Sequence, residues 1–163
     1  VQQSLSRLTS FTEDMARRGL ATRAEWLDRG LFHPSPDEMM MLGLPPDGLV
    51  ARLGRLRVAD DMPLAIERAC ISSEFLPDPL QVQGSLYAAL EKRGCRPVRA
   101  VQRISAYNMK DPDASMLGVP PGSAGLSIER VSYLRTGRVV EFTRSIYRGD
   151  AYDFVAELTL SET

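Results

Sequence analysis

A chain of 163 residues with 44% hydrophobic and 25% charged residues has the size and composition of one soluble globular domain. Its formal net charge of −1, without a block of lysine and arginine, argues against a nucleic-acid-binding surface within this segment. No apolar run approaches the roughly 20 residues that cross a bilayer, and the first six residues do not resemble a signal peptide. We therefore expect a cytoplasmic protein without membrane contact.

The first part of the chain predicts two short helices separated by a strand. Ser10 and Glu13 form a capping box that opens a helix over 11–18. Residues 22–32 are typical of a strand, and a second helix follows over 35–43.

The middle of the chain predicts a β-hairpin and a third helix. Residues 49–59 and 63–71 alternate in polarity, with the turn-forming pair Asp60 and Asp61 between them. Ser85 is then placed to cap a helix over 86–92.

The last part predicts mainly strands, over 98–107, 125–134, 139–147 and 154–158, with one short helix over 111–118. We see no internal repeat, low-complexity tract or long linker. The expected fold class is therefore α+β, with a mostly antiparallel sheet of about six strands and short flanking helices.

The sequence offers few groups for catalysis or metal binding. His33 is the only histidine, so a histidine-based triad would depend on that one residue. Cys70 and Cys95 lack the spacing of a zinc or redox pair, and we expect two reduced thiols. No group of His, Cys and carboxylates has metal-ligand spacing, so we expect neither a metal nor a cofactor.

Arg55 and Arg57 are two apart on one predicted strand and project from the same face. Two adjacent guanidinium groups repel each other unless an anion lies between them, and a phosphate would fill that position. If the hairpin loop has an odd number of residues, Arg57 pairs with Ala65 and Arg55 faces Glu67. The alternative is a solvated, ion-paired face.

Other polar residues could complete such a site. Glu141 and Tyr147 share a face of one predicted strand, and that face is polar throughout. The predicted helix starts near Thr12 and Ser85 provide backbone amides and hydroxyl groups that suit a phosphate. Whether these helix starts converge on the arginine pair cannot be derived from the sequence.

Four motifs follow one another along the chain. They are Thr9-Ser10-Phe11-Thr12-Glu13-Asp14-Met15; Arg55-Leu56-Arg57-Val58-Ala59-Asp60 with Pro63-Leu64-Ala65-Ile66-Glu67; Ser85-Leu86-Tyr87; and Val140-Glu141-Phe142-Thr143-Arg144-Ser145-Ile146-Tyr147-Arg148-Gly149-Asp150. In this order they resemble the UTRA effector-binding domain of GntR-type regulators of the HutC subfamily, which has a chorismate-lyase-like fold. The resemblance is closest to regulators of amino-sugar use.

The resemblance implies a homodimeric sensing domain over 9–163, preceded by the end of an interdomain linker over 1–8. It also implies that DNA is bound only through an N-terminal winged helix-turn-helix domain that this chain lacks. The implied effector is glucosamine 6-phosphate or N-acetylglucosamine 6-phosphate. Because family members also sense urocanate, other phosphosugars and fatty acids, those effectors stay open as alternatives.

The resemblance also assigns roles to individual residues. Arg55 and Arg57 would hold the phosphate with help from Thr12 and Ser85, and Tyr87 would add a hydroxyl group. Two carboxylates, Glu67 and Glu141, would accept hydrogen bonds from sugar hydroxyl or amide groups, and Tyr147 would close over the ring.

Two further functions remain as alternatives. The first is a lyase or isomerase that uses Glu67 or Glu141 as acid or base. The second is a pure dimerisation module whose arginine and glutamate residues form surface ion pairs. The segment 96–113 follows none of the motifs, and we expect ligand discrimination to be set there.

Overall fold

The computed structural model describes residues 2–4, 15–155 and 157–161, and its centre is a six-stranded antiparallel sheet. The strand order is β2-β3-β4-β7-β6-β5. A short parallel pair, β1 (Gln2–Ser4) and β8 (Asp153–Val155), lies apart from this sheet. The six strands are β2 (Thr22–Phe32), β3 (Val50–Ala59), β4 (Met62–Ser72), β5 (Arg99–Asn108), β6 (Ala124–Tyr133) and β7 (Val139–Arg148). The predicted fold class is confirmed.

Short helices connect the strands. They are α1 (Pro36–Leu42), a 3₁₀ helix (Pro79–Gln81), α2 (Leu86–Lys92) and α3 (Asp113–Met116). Ser35 and Glu38 form a full capping box at α1. The predicted cap of α2 is confirmed, since the Ser85 hydroxyl accepts from the backbone N–H of Ala88.

Two predicted elements differ from the structure. Of the helix expected over 11–18, residues 15–17 are helical, and the start at Ser10 lies outside the described residues. The strand expected over 154–158 is β8, which ends at Val155, while residues 157–161 have no regular structure. The three residues of β8 pair with Gln2, Gln3 and Ser4 of β1.

In the β3–β4 hairpin, Arg57 pairs with Ala65 as predicted, but the cause is a bulge and not a loop with an odd number of residues. Its turn has two residues, Asp60 and Asp61, both with positive φ (49° and 62°), which favours tight pairing with an even loop. A register shift follows at once, because Leu64 has no partner on β3. This one-residue bulge sets Arg57 opposite Ala65 and Arg55 opposite Glu67.

The two faces of the sheet are covered differently. α1 packs on one face around Val50 and Phe142, and α3 packs on the same face around Leu56 and Ile66. The opposite face carries two separate apolar clusters. The first includes Leu53, Ile71, Leu86, Tyr87 and Leu90, and the second includes Met15, Ala65, Ile128, Tyr147 and Tyr152. Between these clusters lies a band of polar side chains.

Candidate functional site

The polar band encloses a cavity lined by six of the eight predicted site residues. These are Arg55, Arg57, Glu67, Tyr87, Glu141 and Tyr147. They come from β3, β4 and β7, which the sheet order places side by side, and from α2, which packs against the same face. The cavity has a volume of about 30 Å³, enough for one or two water molecules.

The other two predicted residues lie elsewhere. Ser85 does not line this cavity; it faces a neighbouring groove, next to Gly84. Its hydroxyl accepts from the Ala88 backbone N–H at 3.1 Å. Thr12 lies outside the described residues.

One end of the cavity is dominated by the arginine pair. Arg55 is 3% exposed and donates to Glu67 Oε1 at 2.9 Å and to the Gly84 carbonyl at 2.6 Å. Its Cζ lies 5.2 Å from the ring centre of Trp26. These contacts tie β3 both to β4 and to the loop that precedes α2.

At this end of the cavity, two buried guanidinium groups and the Glu67 carboxylate shift one another's pKa values. Burial lowers the pKa of Arg57 to about 10; Arg55 adds to this effect, while Glu67 and Tyr147 oppose it. Burial by itself would raise the pKa of Glu67, but Arg57, Arg55 and Arg130 together hold it below its usual value. Glu67 therefore stays ionised as the counter-charge of the pair.

A second cavity of about 170 Å³ is lined by the same two arginines. Its wall also includes Thr22, Trp26 and the loop residues Gln83 and Gly84. Arg55 and Arg57 therefore border both the narrow cavity and the larger one.

At the opposite end, the Glu141 carboxylate is surrounded by hydroxyl groups. Its Oε1 accepts from Tyr87 at 2.7 Å and from Ser132 at 2.5 Å, and its Oε2 accepts from Thr143 at 2.6 Å. Burial and the neighbouring Glu141 charge both raise the pKa of the Tyr87 hydroxyl, which therefore stays protonated. This network holds a buried charge in one geometry.

Arg130 and Gln102 are functional candidates that the sequence patterns did not single out. The Arg130 guanidinium donates to Gln102 Oε1 at 3.0 Å and to the Tyr87 hydroxyl at 3.2 Å. Burial would lower the pKa of Arg130, but Tyr87 and Glu141 outweigh it and raise that pKa. Both residues line the cavity. Gln102 belongs to the segment 96–113.

Tyr147 forms a fixed wall of the cavity. Its ring centre lies 4.4 Å from that of Tyr152 and 5.8 Å from that of Phe154, within the second apolar cluster. Because these contacts hold the ring, a bound molecule would pack against Tyr147 where it stands.

Other kinds of site find little support in the part of the chain that the structure describes. No group of three or more His, Cys, Asp or Glu residues there could hold a metal ion. His33 is exposed beyond the end of β2 and does not line the cavity. In the same residues, no helix has the length and apolar character of a membrane span.

Comparison with known proteins identifies relatives among transcription regulators. A family model described as the UTRA domain matches residues 17–153. The chain is 34% identical over 158 residues to the HTH-type transcriptional repressor NagR of Bacillus subtilis (strain 168), covering 95% of this chain and 65% of that protein. It is 27% identical over 155 residues to the HTH-type transcriptional repressor PhnF of Mycolicibacterium smegmatis, covering 90% and 62%.

A solved structure supports the fold independently. The effector domain of PhnF from Mycobacterium smegmatis superposes with a TM-score of 0.91 over 98% of this chain and 100% of that domain, at 24% sequence identity. The chain thus spans less than two thirds of each full repressor but the whole of this domain. The predicted resemblance to GntR-type effector domains is confirmed.

Proposed function

Because the chain belongs to the UTRA domain family, we propose that it senses a small phosphorylated amino sugar and thereby controls DNA binding by a longer regulator. Glucosamine 6-phosphate and N-acetylglucosamine 6-phosphate are the candidate effectors. In this proposal the chain forms a homodimer, and DNA is bound through an N-terminal helix-turn-helix domain outside this chain.

The observation that carries the proposal is the charge balance of the narrow cavity. Among the described residues of its wall, three guanidinium groups stand against two carboxylates. Two of these guanidinium groups, Arg55 and Arg57, lie around one carboxylate among the described residues, that of Glu67. Buried charges are costly unless they are paired, so an anion at this end is stabilised by both arginines. A phosphate has the charge and the acceptor oxygens to fill that position.

The other residues that line the narrow cavity have groups that suit a sugar. Tyr87, Thr143 and Ser145 present hydroxyl groups, Gln102 presents an amide, and Tyr147 presents an aromatic surface. Such a mixture of polar groups around one apolar wall suits a ring with several hydroxyl substituents. NagR and PhnF are both named only as transcriptional repressors, so the sugar rests on this lining and on the resemblance to amino-sugar regulators.

The narrow cavity is too small for a sugar phosphate, so binding must enlarge it. A phosphate would compete with the Gly84 carbonyl for Arg55, and this competition would release the loop before α2. The effector thereby favours one arrangement of that loop over another. An affinity ratio of roughly 100 between the two arrangements would shift their balance by about 2.7 kcal/mol.

Thermal denaturation tests the proposal. A ligand at about 100 times its dissociation constant should add about 2.7 kcal/mol of stability. Arg57→Ala should lose most of that gain for phosphorylated ligands. Arg103→Ala, an exposed arginine on β5 that does not line the cavity, is the matched control and should keep it.

Two results would overturn the proposal. One is that no phosphosugar raises the melting temperature, or that Arg57→Ala responds like the parent. The other is that mass spectrometry finds a product after incubation with a phosphosugar, because turnover would identify an enzyme.

A further inference from the structure

The end of the cavity farthest from the arginine pair is electrically balanced. Arg130 and Thr143 are direct partners across β6 and β7, and Ser132 and Glu141 form the next such pair on the same face. The charged groups among the described residues at this end are one guanidinium, of Arg130, and one carboxylate, of Glu141, while the Tyr87 hydroxyl stays protonated. A neutral ligand group therefore suits this end, whereas an anion suits the other.

The balanced end also has a defined hydrogen-bonding character. A carboxylate has about four acceptor positions, and Tyr87, Ser132 and Thr143 already donate to three positions on Glu141. Oε2 accepts only one of these three bonds. Arg130 is held at the cavity wall by Gln102 and Tyr87 and has donors but no acceptor.

The chemistry of a 6-phosphorylated pyranose decides which group reaches this end. C5, which carries the phosphorylated C6, and C2 lie across the ring from each other. β3 and β6 are three strand spacings apart, about 14 Å between backbones, and their side chains converge on the cavity. A sugar whose phosphate contacts Arg55 and Arg57 therefore directs its C2 substituent toward Arg130.

We propose that Arg130 determines specificity for an acylated amine at C2. Its guanidinium donates to the acyl carbonyl oxygen, and Glu141 Oε2 accepts from the amide N–H beside it. This inference rests on the proposed function. A secondary amide matches the site because it is neutral and has one donor and one acceptor.

A free amine fits this end poorly. Its ammonium form can donate to Glu141, but it sets a second positive charge beside Arg130 against one carboxylate and offers no acceptor to Arg130. A hydroxyl group at C2 is neutral but reaches less far than an acyl carbonyl. Leaving a buried polar group unsatisfied costs about 1–3 kcal/mol, which corresponds to roughly 5- to 150-fold in affinity.

Calorimetric titration of the intact chain tests the inference with three ligands: N-acetylglucosamine 6-phosphate, glucosamine 6-phosphate and glucose 6-phosphate. We expect the N-acetyl compound to bind at least about tenfold more tightly than the other two. In Arg130→Gln that preference should fall to within about threefold, with the affinity for glucose 6-phosphate nearly unchanged. Arg103→Gln, exposed on the neighbouring strand, should behave like the parent.

The outcomes separate this inference from the proposed function. If the free amine binds as tightly as the N-acetyl compound, or if Arg130→Gln keeps the full preference, Arg130 is not the determinant and the phosphosugar proposal still stands. If none of the three ligands binds, both fail. If circular dichroism shows that Arg130→Gln does not fold, the inference is tested instead by titrating the three ligands into the parent and into the Gln102→Leu variant. Gln102→Leu should weaken the preference because it removes the acceptor that orients Arg130.

Discussion

Replacing Glu67 by glutamine isolates the charge that compensates the arginine pair. The substitution keeps the shape of the side chain and an acceptor for Arg55, and it replaces the negative charge and one acceptor oxygen by a neutral NH2 group. Removing one partner of a buried ion pair costs about 3–5 kcal/mol. Because the Glu67 side chain is 14% exposed and the amide still accepts a hydrogen bond, we expect a loss of about 2–3 kcal/mol at pH 7.

Thermal unfolding followed by circular dichroism measures this loss. In a domain of this size, 1 kcal/mol corresponds to about 2–4 °C in melting temperature, so Glu67→Gln should melt about 4–12 °C below the parent. Inorganic phosphate should raise the melting temperature of the variant more than that of the parent, because it supplies the missing negative charge. Chloride at matched ionic strength controls for screening.

The pH dependence of the stability loss in Glu67→Gln is an independent test of the stabilising role of the Glu67 charge. Glu67 has a lowered pKa in the folded protein, so its contribution is complete above the ordinary carboxyl pKa and disappears as the pH falls through the lowered value. The difference in melting temperature between parent and variant should therefore be largest near neutral pH and should disappear at acidic pH. Glu25→Gln, whose side chain pairs with Arg23 on the surface, should change stability by less than about 0.5 kcal/mol. Equal melting temperatures at pH 7, or a gap that widens in acid, would refute the reasoning.

Three further predictions concern buried groups around the sheet. Glu38→Gln, which breaks the ion pair with Arg52, should cost about 2 kcal/mol at pH 7 in urea unfolding, because that pair lowers the pKa of Glu38 from 4.5 to about 2. The cost should vanish as the pH falls toward 2, and a cost independent of pH would contradict it. Tyr87→Phe should destabilise the domain by about 1–2 kcal/mol, since Glu141 loses a buried donor; an unchanged urea midpoint would contradict this. Cys70 should react with iodoacetamide at pH 8.5 much more slowly than the other cysteine, because burial raises its pKa to about 12 and contact with Glu38 adds to the effect. Peptide mass mapping would show equal labelling if this were wrong.

Local patterns predicted the parts of the site that lie within one hairpin or one strand. Arg55 and Arg57 share a face because strand side chains alternate, and Glu141 and Tyr147 share a face for the same reason. The pairing of β4 with β7 joins these two halves, and it depends on residues about 75 positions apart, such as Ser145 and Glu67. No short-range pattern specifies such a contact.

The bulge at Leu64 shows how tertiary packing overrides local turn rules. The two aspartates specify an even turn, and on their own they would shift Arg55 away from Glu67. Leu64 is 2% exposed and packs in the second apolar cluster with Met15 and Tyr152. The register thus follows from the burial of one leucine, which the alternation within the hairpin did not predict.

Arg130 escaped sequence reasoning because its strand has polar residues on both faces. Glu129 faces outward beside Arg144, whereas Arg130 faces inward beside Thr143, and both are charged. The alternation that separated the two faces of β7 is therefore absent from β6. Only the position of β6 next to β7 reveals which of the two charges enters the cavity.

The two ends of the cavity meet in one structural element, α2. At the arginine end, Arg55 binds the carbonyl of Gly84, two residues before the helix begins. At the balanced end, Tyr87 in the first turn binds both Glu141 and Arg130. Both attachments hold the start of α2. Under the proposed function, a ligand that fills only the phosphate position would disturb the Arg55 attachment, whereas a ligand that also reaches Arg130 would act on both. We therefore expect an effector with groups at both ends of the cavity to move α2 more than inorganic phosphate does.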